Sequence, residues 1–463
     1  MAFSVRSARH FCLFITLYNL TLLRQATTNG LSEVTRRFER GWPARGIVGQ
    51  GVKHDIFSGY PCADVKGLTT TDTSSIGQTL LQVPLAASLS VSDQDPPIPG
   101  VPLAIWQTFD VQTKLSLTLL KEKEKGKESK FIDYFDALIE EQLHTPLHWS
   151  STTLAKLQNC YPSLYESVNT QRQEYELLYN KLSDGLEINP PTFSRDKIPF
   201  STFLWSLEVV RSRAFQGLGS TNTSSGLRDS FFATVLLGAA FCLVANNQGG
   251  ELVQAGLATA ATLVFVPSVL RARTENCALL PAIDSCNHDS KGFNCNVAYE
   301  PKDNSFVLRT CALLENQKGS KELTISYGNR GNDELLQFFG FVEIDNPSDC
   351  YSLDEAKLSL LETIVTPSDL TINRINRAAH YINLRRRGDR LEDLTTKTGK
   401  TSVELREVLE REKKELHRAI DELGSPTDSN DGVDMCILQT FLRQKELLLG
   451  EAVAAVTEQE YNL

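Results

Sequence analysis

No long run of lysine or arginine occurs in this sequence, and acidic residues outnumber basic ones, 57 against 47, for a formal net charge of -10. Binding along a phosphate backbone needs concentrated positive charge, so this balance argues against nucleic acid and for a protein partner. Cys-x-x-Cys pairs are absent, and no histidine lies close enough in sequence to complete a zinc quartet. The ten cysteines are scattered at Cys12, Cys62, Cys160, Cys242, Cys277, Cys286, Cys295, Cys311, Cys350 and Cys436. No metal site is therefore expected, and the cysteines read as reduced, mostly buried thiols of a chain that folds in a reducing compartment. No internal repeat is visible.

Acid is missing altogether from Met1 to Ser32, where Arg6, Arg9 and His10 precede an apolar run from Phe11 to Leu23. That run falls short of the roughly 20 residues that span a bilayer. Residues 1–32 therefore read as a targeting segment, an organellar address with a plastid favoured, while secretory entry or a cytoplasmic protein stays open.

What remains is long enough for a large core: 463 residues, 41% hydrophobic and 22% charged, suggest two or three domains. From Gly41 to Val91 the texture is Gly-rich and β-like, with strands expected at Gly46–Gly51 and Gln78–Pro84. Lys53 to Ser75, rich in Gly, Asp, Thr and Ser, reads as a long surface insertion. From Trp106 to Gly217 the apolar spacing becomes helical, as in Leu115, Leu119 and Leu120, then Phe131, Tyr134, Phe135 and Leu138. β texture returns from Leu279 to Asp349. Ser352 to Leu463 is helical and leucine-periodic, broken near Gly424–Gly432.

The chemistry concentrates in the second β region. Leu280-Pro-Ala-Ile-Asp-Ser-Cys-Asn-His288 sets a carboxylate, an amide and an imidazole within five positions, and Ile325-Ser-Tyr-Gly328 follows, with Asn332-Asp-Glu-Leu-Leu336 and Gly340-Phe-Val342. Together these motifs resemble the SET-domain protein methyltransferases, in the branch typified by the Rubisco large-subunit lysine methyltransferase. Ala44-Arg-Gly-Ile-Val48, Gln82-Val-Pro84, Thr145-Pro-Leu-His-Trp149 and the helix from Phe203 to Phe215 with its Ser-Arg-x-Phe ending extend the resemblance over most of the chain.

The resemblance implies an α+β fold: a β-rich SET core within residues 33–350, split by an inserted helical region at about 106–278, and a helical lobe at 351–463 that binds a protein substrate. It implies S-adenosyl-L-methionine as cofactor and a lysine of a non-histone protein as acceptor. A histidine acceptor, or a SET-fold binding module without catalysis, stays open. Tyr327 is the catalytic residue implied, orienting the acceptor amine. Arg213 is carried over to the cofactor carboxylate, Asn287 and His288 to its amino-acid and adenine parts, and Ala44, Arg45 and Gly46 to a Gly-rich contact. Asp284 would fix its turn by a local hydrogen bond. Phe215, Phe339 and Phe341 line a channel for the substrate, with core packing the equal alternative.

Two departures stand out. Gly319-Ser-Lys-Glu322 displaces an acidic turn of the family, and two apolar runs, Phe231–Ala245 and Ala255–Leu270, separate Arg213 from Leu280. The runs read as a buried helix pair in preference to a membrane-associated hairpin. The chain is expected to act as a monomer.

Overall fold

A computed structural model describes residues 31–58, 60–139, 143–183, 192–217, 276–314, 321–354, 381–385, 401–424 and 432–461. Residues 1–30, where a targeting segment is expected, and the apolar runs within 231–270 lie outside them. The strands are β1 (Val48–Gly49), β2 (Val52–Phe57), β3 (Val65–Thr70), β4 (Thr79–Pro84), β5 (Leu89–Ser92), β6 (Phe215–Gln216), β7 (Asn276–Leu279), β8 (Asn287–His288), β9 (Cys295–Glu300), β10 (Ser305–Thr310), β11 (Lys321–Ile325), β12 (Cys350–Asp354) and β13 (Tyr381–Arg385). The helices are α1 (Glu33–Arg40), α2 (Leu103–Trp106), α3 (Val111–Glu124), α4 (Ile132–Ile139), α5 (Ser151–Cys160), α6 (Pro162–Ser183), α7 (Phe200–Arg213), α8 (Asn332–Phe339), α9 (Ser402–Glu422) and α10 (Gly432–Tyr461).

The two β regions, far apart in sequence, meet as expected. Their strands interleave in sheets ordered β1-β4-β10-β9, β2-β3-β11-β8 and β5-β7-β6. Leu68, Leu81, Leu308 and Leu323, fully buried on these strands, pack with Trp106, Phe135 and Phe203 from the inserted helices in one core. That apolar burial, worth about 25 cal/mol per Å² removed from water, drives the association of the split halves.

Four expectations need correction. Lys53–Ser75 is no surface insertion: it forms β2 and β3, and β3 lies inside its sheet with Leu68, Thr69 and Thr70 buried. Its threonines, read as loop composition, are β-branched residues that suit a buried strand. Ser32 belongs to the fold, because its hydroxyl accepts the Thr35 N–H and caps α1. The tail is not helical throughout, since β12 and β13 pair antiparallel and bury Tyr351, Leu353 and Leu384 against α9 and α10. Finally, Cys62 and Cys436 form a disulfide, their Cα atoms 5.6 Å apart, whereas Cys160, Cys277, Cys286, Cys295 and Cys311 are free. Separated by 374 residues, the pair gave no signal in sequence.

A second core joins the tail to the inserted helices: Leu157, Tyr161 and Leu336 pack with Leu405, Leu409, Phe441 and Leu442. At its centre lies Lys445, fully buried on α10. Its ammonium reaches the carboxylates of Asp333 and, at 2.7 Å, Asp349, and stands 4.9 Å from the Phe441 ring centre. Asp349 also caps the first turn of α8 by accepting the Asn332 N–H at 2.9 Å. Lys445→Met keeps volume but strands the buried Asp349 carboxylate and the partly buried one of Asp333, so it is expected to cost about 3–5 kcal/mol. A urea unfolding midpoint matching the wild type would contradict this.

Candidate active site

β11 carries the centre of the site because it pairs on both edges. Antiparallel β3 lies on one side (Leu323↔Leu68) and parallel β8 on the other (Thr324↔Asn287, Ile325↔His288). This register sets Asn287-His288 beside Thr324-Ile325, immediately before Ser326-Tyr327. The Tyr327 N–H donates to His288 Nδ1 at 3.0 Å, which places the ring proton on Nε2, 3.5 Å from Glu343 Oε2. Asn287 donates through Nδ2 to Glu322 Oε1 at 2.7 Å and to the Lys66 carbonyl at 3.2 Å. Glu322 also accepts from the Tyr60 hydroxyl at 2.9 Å, so the displaced acid of the loop is present and engaged. A Cβ on Gly67 would lie 2.5 Å from Asn287 Nδ2, so this close approach of β3 requires glycine.

Tyr327 sits between two rings, with centroids 5.0 Å to His288 and 5.1 Å to Phe339. Its hydroxyl donates to the Cys286 carbonyl at 2.7 Å, and burial raises its pKa above the ordinary phenol value. It is therefore a neutral phenol with acceptor lone pairs remaining. Phe339 ends α8, and Gly340 turns the chain in the left-handed region (φ +77°) so that Phe341 follows; a Cβ there would lie 2.9 Å from the His144 backbone.

Arg213 ends α7, whose buried Phe203, Val209 and Val210 fix the helix in the core. Its Nη1 donates to the Asp284 carbonyl at 3.0 Å. Asp284 lies in the 3-10 turn Ile283–Ser285, entered through Ala282 at φ +78°, a strained conformation for a residue with a Cβ. Its Oδ2 accepts from the buried Tyr134 hydroxyl, while Oδ1 has no hydrogen-bond partner among the described residues. Burial pushes its pKa up to about 6 against the opposing pull of Arg213 and Tyr134. The local hydrogen bond expected of Asp284 is thus replaced by one from a distant helix.

Two cavities meet across these side chains. The larger, about 480 Å³, is lined by Lys66, Arg213, Ser285, Asn287, His288 and Phe341, among others. The smaller, about 260 Å³, is lined by Gln112, Arg211, Phe215, Ile325 and Arg330, among others. Ser212, Arg213, Asp284, Tyr327 and Phe339 border both. A guanidinium, an unpartnered buried carboxylate oxygen and aromatic rings in the larger cavity suit a ligand that carries a carboxylate, an ammonium and a planar ring.

No family model matches the chain. It is 24% identical over 269 residues to Ribosomal lysine N-methyltransferase 1 of Saccharomyces cerevisiae, covering 51% of this chain and 36% of that protein. SET domain-containing protein 4 of Mus musculus is 33% identical over 81 residues, 18% of each chain. The chain thus spans about a third or less of the length of these relatives. Among solved structures, Rubisco LSMT bound to AdoMet aligns over 93% of both chains with a TM-score of 0.56 at 15% identity. The SET domain of LSMT bound to MeLysine and AdoHcy aligns over the same share at 0.54 and 14%. The fold is that of Rubisco LSMT.

Within this SET-type fold the structure brings Arg213, Asp284, Asn287, His288, Tyr327, Phe339 and Phe341 to the larger cavity, and Phe215 to the smaller. Ala44, Arg45 and Gly46 reach neither. They form a 3-10 turn in which the Arg45 guanidinium bonds Asp133 at 2.6 Å, and the backbone beside Asn287 is that of Lys66-Gly67-Leu68. The glycine of an Ala-Arg-Gly-Ile string and that of a Lys-Gly-Leu string look alike in one sequence; pairing with β11 distinguishes them. Tyr134, Glu322 and Glu343 were also missed, being ordinary helix or loop residues until the fold brings them to the site.

The raised Asp284 pKa has a testable consequence. Between its unfolded value near 3.8 and about 6 the native state binds more protons than the unfolded one, so stability falls as pH rises through that window, by roughly 3 kcal/mol. Asp284→Asn removes this contribution. Unfolding free energies from pH 3.5 to 7 should be flatter in the variant, and parallel curves would contradict the assignment.

Proposed function

We propose that the chain is an S-adenosylmethionine-dependent protein-lysine N-methyltransferase acting on a non-histone protein, and that the observation carrying this is the meeting of two cavities at Tyr327, Arg213 and Asp284. When bound, S-adenosylmethionine supplies an activated methyl group on a sulfonium. The larger cavity holds it: Arg213 takes the carboxylate, Asp284 Oδ1 accepts from the ammonium, and Phe341 and His288 flank the planar base. The smaller cavity admits a lysine side chain past Phe215, Ile325 and Phe339.

Each residue's task follows from its surroundings. The apolar walls disfavour the ammonium form of the entering lysine, and the Arg213 charge adds to that effect. Tyr327, kept neutral by burial, is no base; its Oη accepts an N–H of the amine and turns the nitrogen lone pair toward the shared wall. His288 and Phe339 hold the phenol ring in place, and Cys286 O fixes its hydroxyl hydrogen.

The names of the yeast relatives make a ribosomal protein the first substrate to test, with the helical lobe at 351–463 as its docking surface. The segment before Ser32 is proposed as an organellar address, a plastid being favoured, and the chain is proposed to act as a monomer. Incubation with radiolabelled S-adenosylmethionine and fractionated ribosomal and organellar proteins, followed by amino-acid analysis, identifies acceptor and residue. Label on lysine supports the proposal, and label on histidine or none contradicts it.

Two variants separate binding from chemistry. Tyr327→Phe keeps the ring and loses the oxygen, so single-turnover methylation should slow on the order of a hundredfold with cofactor affinity nearly unchanged. Arg213→Ala removes a charge-assisted contact made before the reaction, costing roughly 1.5–3 kcal/mol of cofactor binding in calorimetric titration. The opposite pattern would overturn both roles.

A further inference from the structure

Beside the shared wall lies a hydrogen-bonded chain that the proposed chemistry does not use. His54 on β2 is buried, 1% exposed, with its ring between Trp42 and Phe38 on one side and the 3-10 turn Ile283–Ser285 on the other. Its Nδ1 lies 2.8 Å from Glu39 Oε1, and its Nε2 lies 3.1 Å from Ser285 Oγ. Ser285 is 9% exposed and lines the larger cavity. Glu39 also accepts the His54 backbone N–H, so one carboxylate anchors both the strand and the ring.

The direction of each hydrogen bond follows from the ends. Burial raises the Glu39 pKa, but its hydrogen bonds from His54 outweigh that and hold it below the ordinary carboxylate value, so it is an ionised acceptor. His54 Nδ1 must then carry the hydrogen. Burial lowers the imidazole pKa, opposed by Glu39 and reinforced by the charges of Lys66 and Arg213, so the ring is neutral and Nε2 has no hydrogen. Ser285 consequently donates to Nε2. Its hydrogen is committed away from the cavity, and its Oγ presents only lone pairs there.

We propose that Glu39, His54 and Ser285 form a proton-ordered relay that makes Ser285 Oγ a fixed hydrogen-bond acceptor for an N–H or O–H group of the ligand in the larger cavity. Ser285 is the binding residue and His54 its positioning residue. The inference rests on S-adenosylmethionine being that ligand, whose ammonium, ribose hydroxyls and adenine amino group are the available donors. A hydroxyl free to rotate would pay to be oriented at each binding event; this one is already oriented.

Acidification reverses the relay. Once His54 gains its second proton, Nε2 becomes a donor to Ser285 Oγ, which takes up one of its two lone pairs and frees the serine hydrogen to rotate, so the acceptor is no longer fixed toward the ligand. The neighbouring Asp284, with its pKa of about 6, also gains a proton on acidification, so the contribution of the relay is read as the difference between wild type and a Ser285 variant, in both of which Asp284 remains.

The experiment is calorimetric titration of the full chain with S-adenosylmethionine at pH 8.0, 7.0, 6.0 and 5.5, using wild type, Ser285→Ala and Ser285→Cys, with thermal unfolding of each as a check on folding. At pH 8.0 Ser285→Ala should bind roughly five- to tenfold more weakly, with Ser285→Cys, near-isosteric but a poorer acceptor, in between. The ratio of alanine-variant to wild-type Kd should fall in step with protonation of His54, followed in the same samples by NMR of the imidazole, and should hold constant where the ring stays neutral. A ratio of one at pH 8.0, or a ratio that does not follow the protonation of His54, overturns the relay while leaving the methyl-donor reading intact. Wild type that binds no S-adenosylmethionine at pH 8.0 overturns that reading and the relay with it. If Ser285→Ala fails to fold, the cysteine variant alone decides by the same comparison.

Discussion

The double pairing of β11 is the constraint on which the rest of the site depends. A short strand with antiparallel β3 on one edge and parallel β8 on the other brings three distant segments into one plane: Lys66-Gly67, Asn287-His288 and the run into Tyr327. Register does the work. A one-residue slip would exchange the faces of every side chain on β11 and separate the Tyr327 N–H from His288 Nδ1. The side-chain bonds from Asn287 to Lys66 O and to Glu322 tie the same three segments together.

Buried charge is handled differently at the site and in the tail. Lys445 is matched by two carboxylates and locks α10 to α8, a closed arrangement in which each charge has a partner. Around Asp284 the balance is left open: one oxygen is satisfied by Tyr134, the other has no partner among the described residues, and the pKa is raised. An open balance of that kind marks the place where a ligand completes the hydrogen bonding.

Residues that act within their own motif were legible in the sequence. Asn287, His288 and Tyr327 sit in strings that are informative together, and Arg213 and Phe215 flank the end of a helix with a strong apolar pattern. Residues defined by pairing were not. Lys53–Ser75 looked like a polar insertion because Thr and Gly are ambiguous between loop and strand, and only the partner strand β11 shows that Leu68, Thr69 and Thr70 are buried. The same ambiguity directed attention to Ala44–Gly46 in place of Lys66–Leu68. The Cys62–Cys436 disulfide and the His54–Ser285 hydrogen bond join residues hundreds of positions apart, and no local pattern announces such contacts.

The account stands most directly on where a methyl-donor product lies. A crystal structure of the full chain with S-adenosylhomocysteine should show the ligand in the larger cavity, against Lys66-Gly67 and Asn287-His288, with its sulfur facing Tyr327. Ligand bound beside Ala44–Gly46, or in a place from which Tyr327 and the smaller cavity are out of reach, would contradict it.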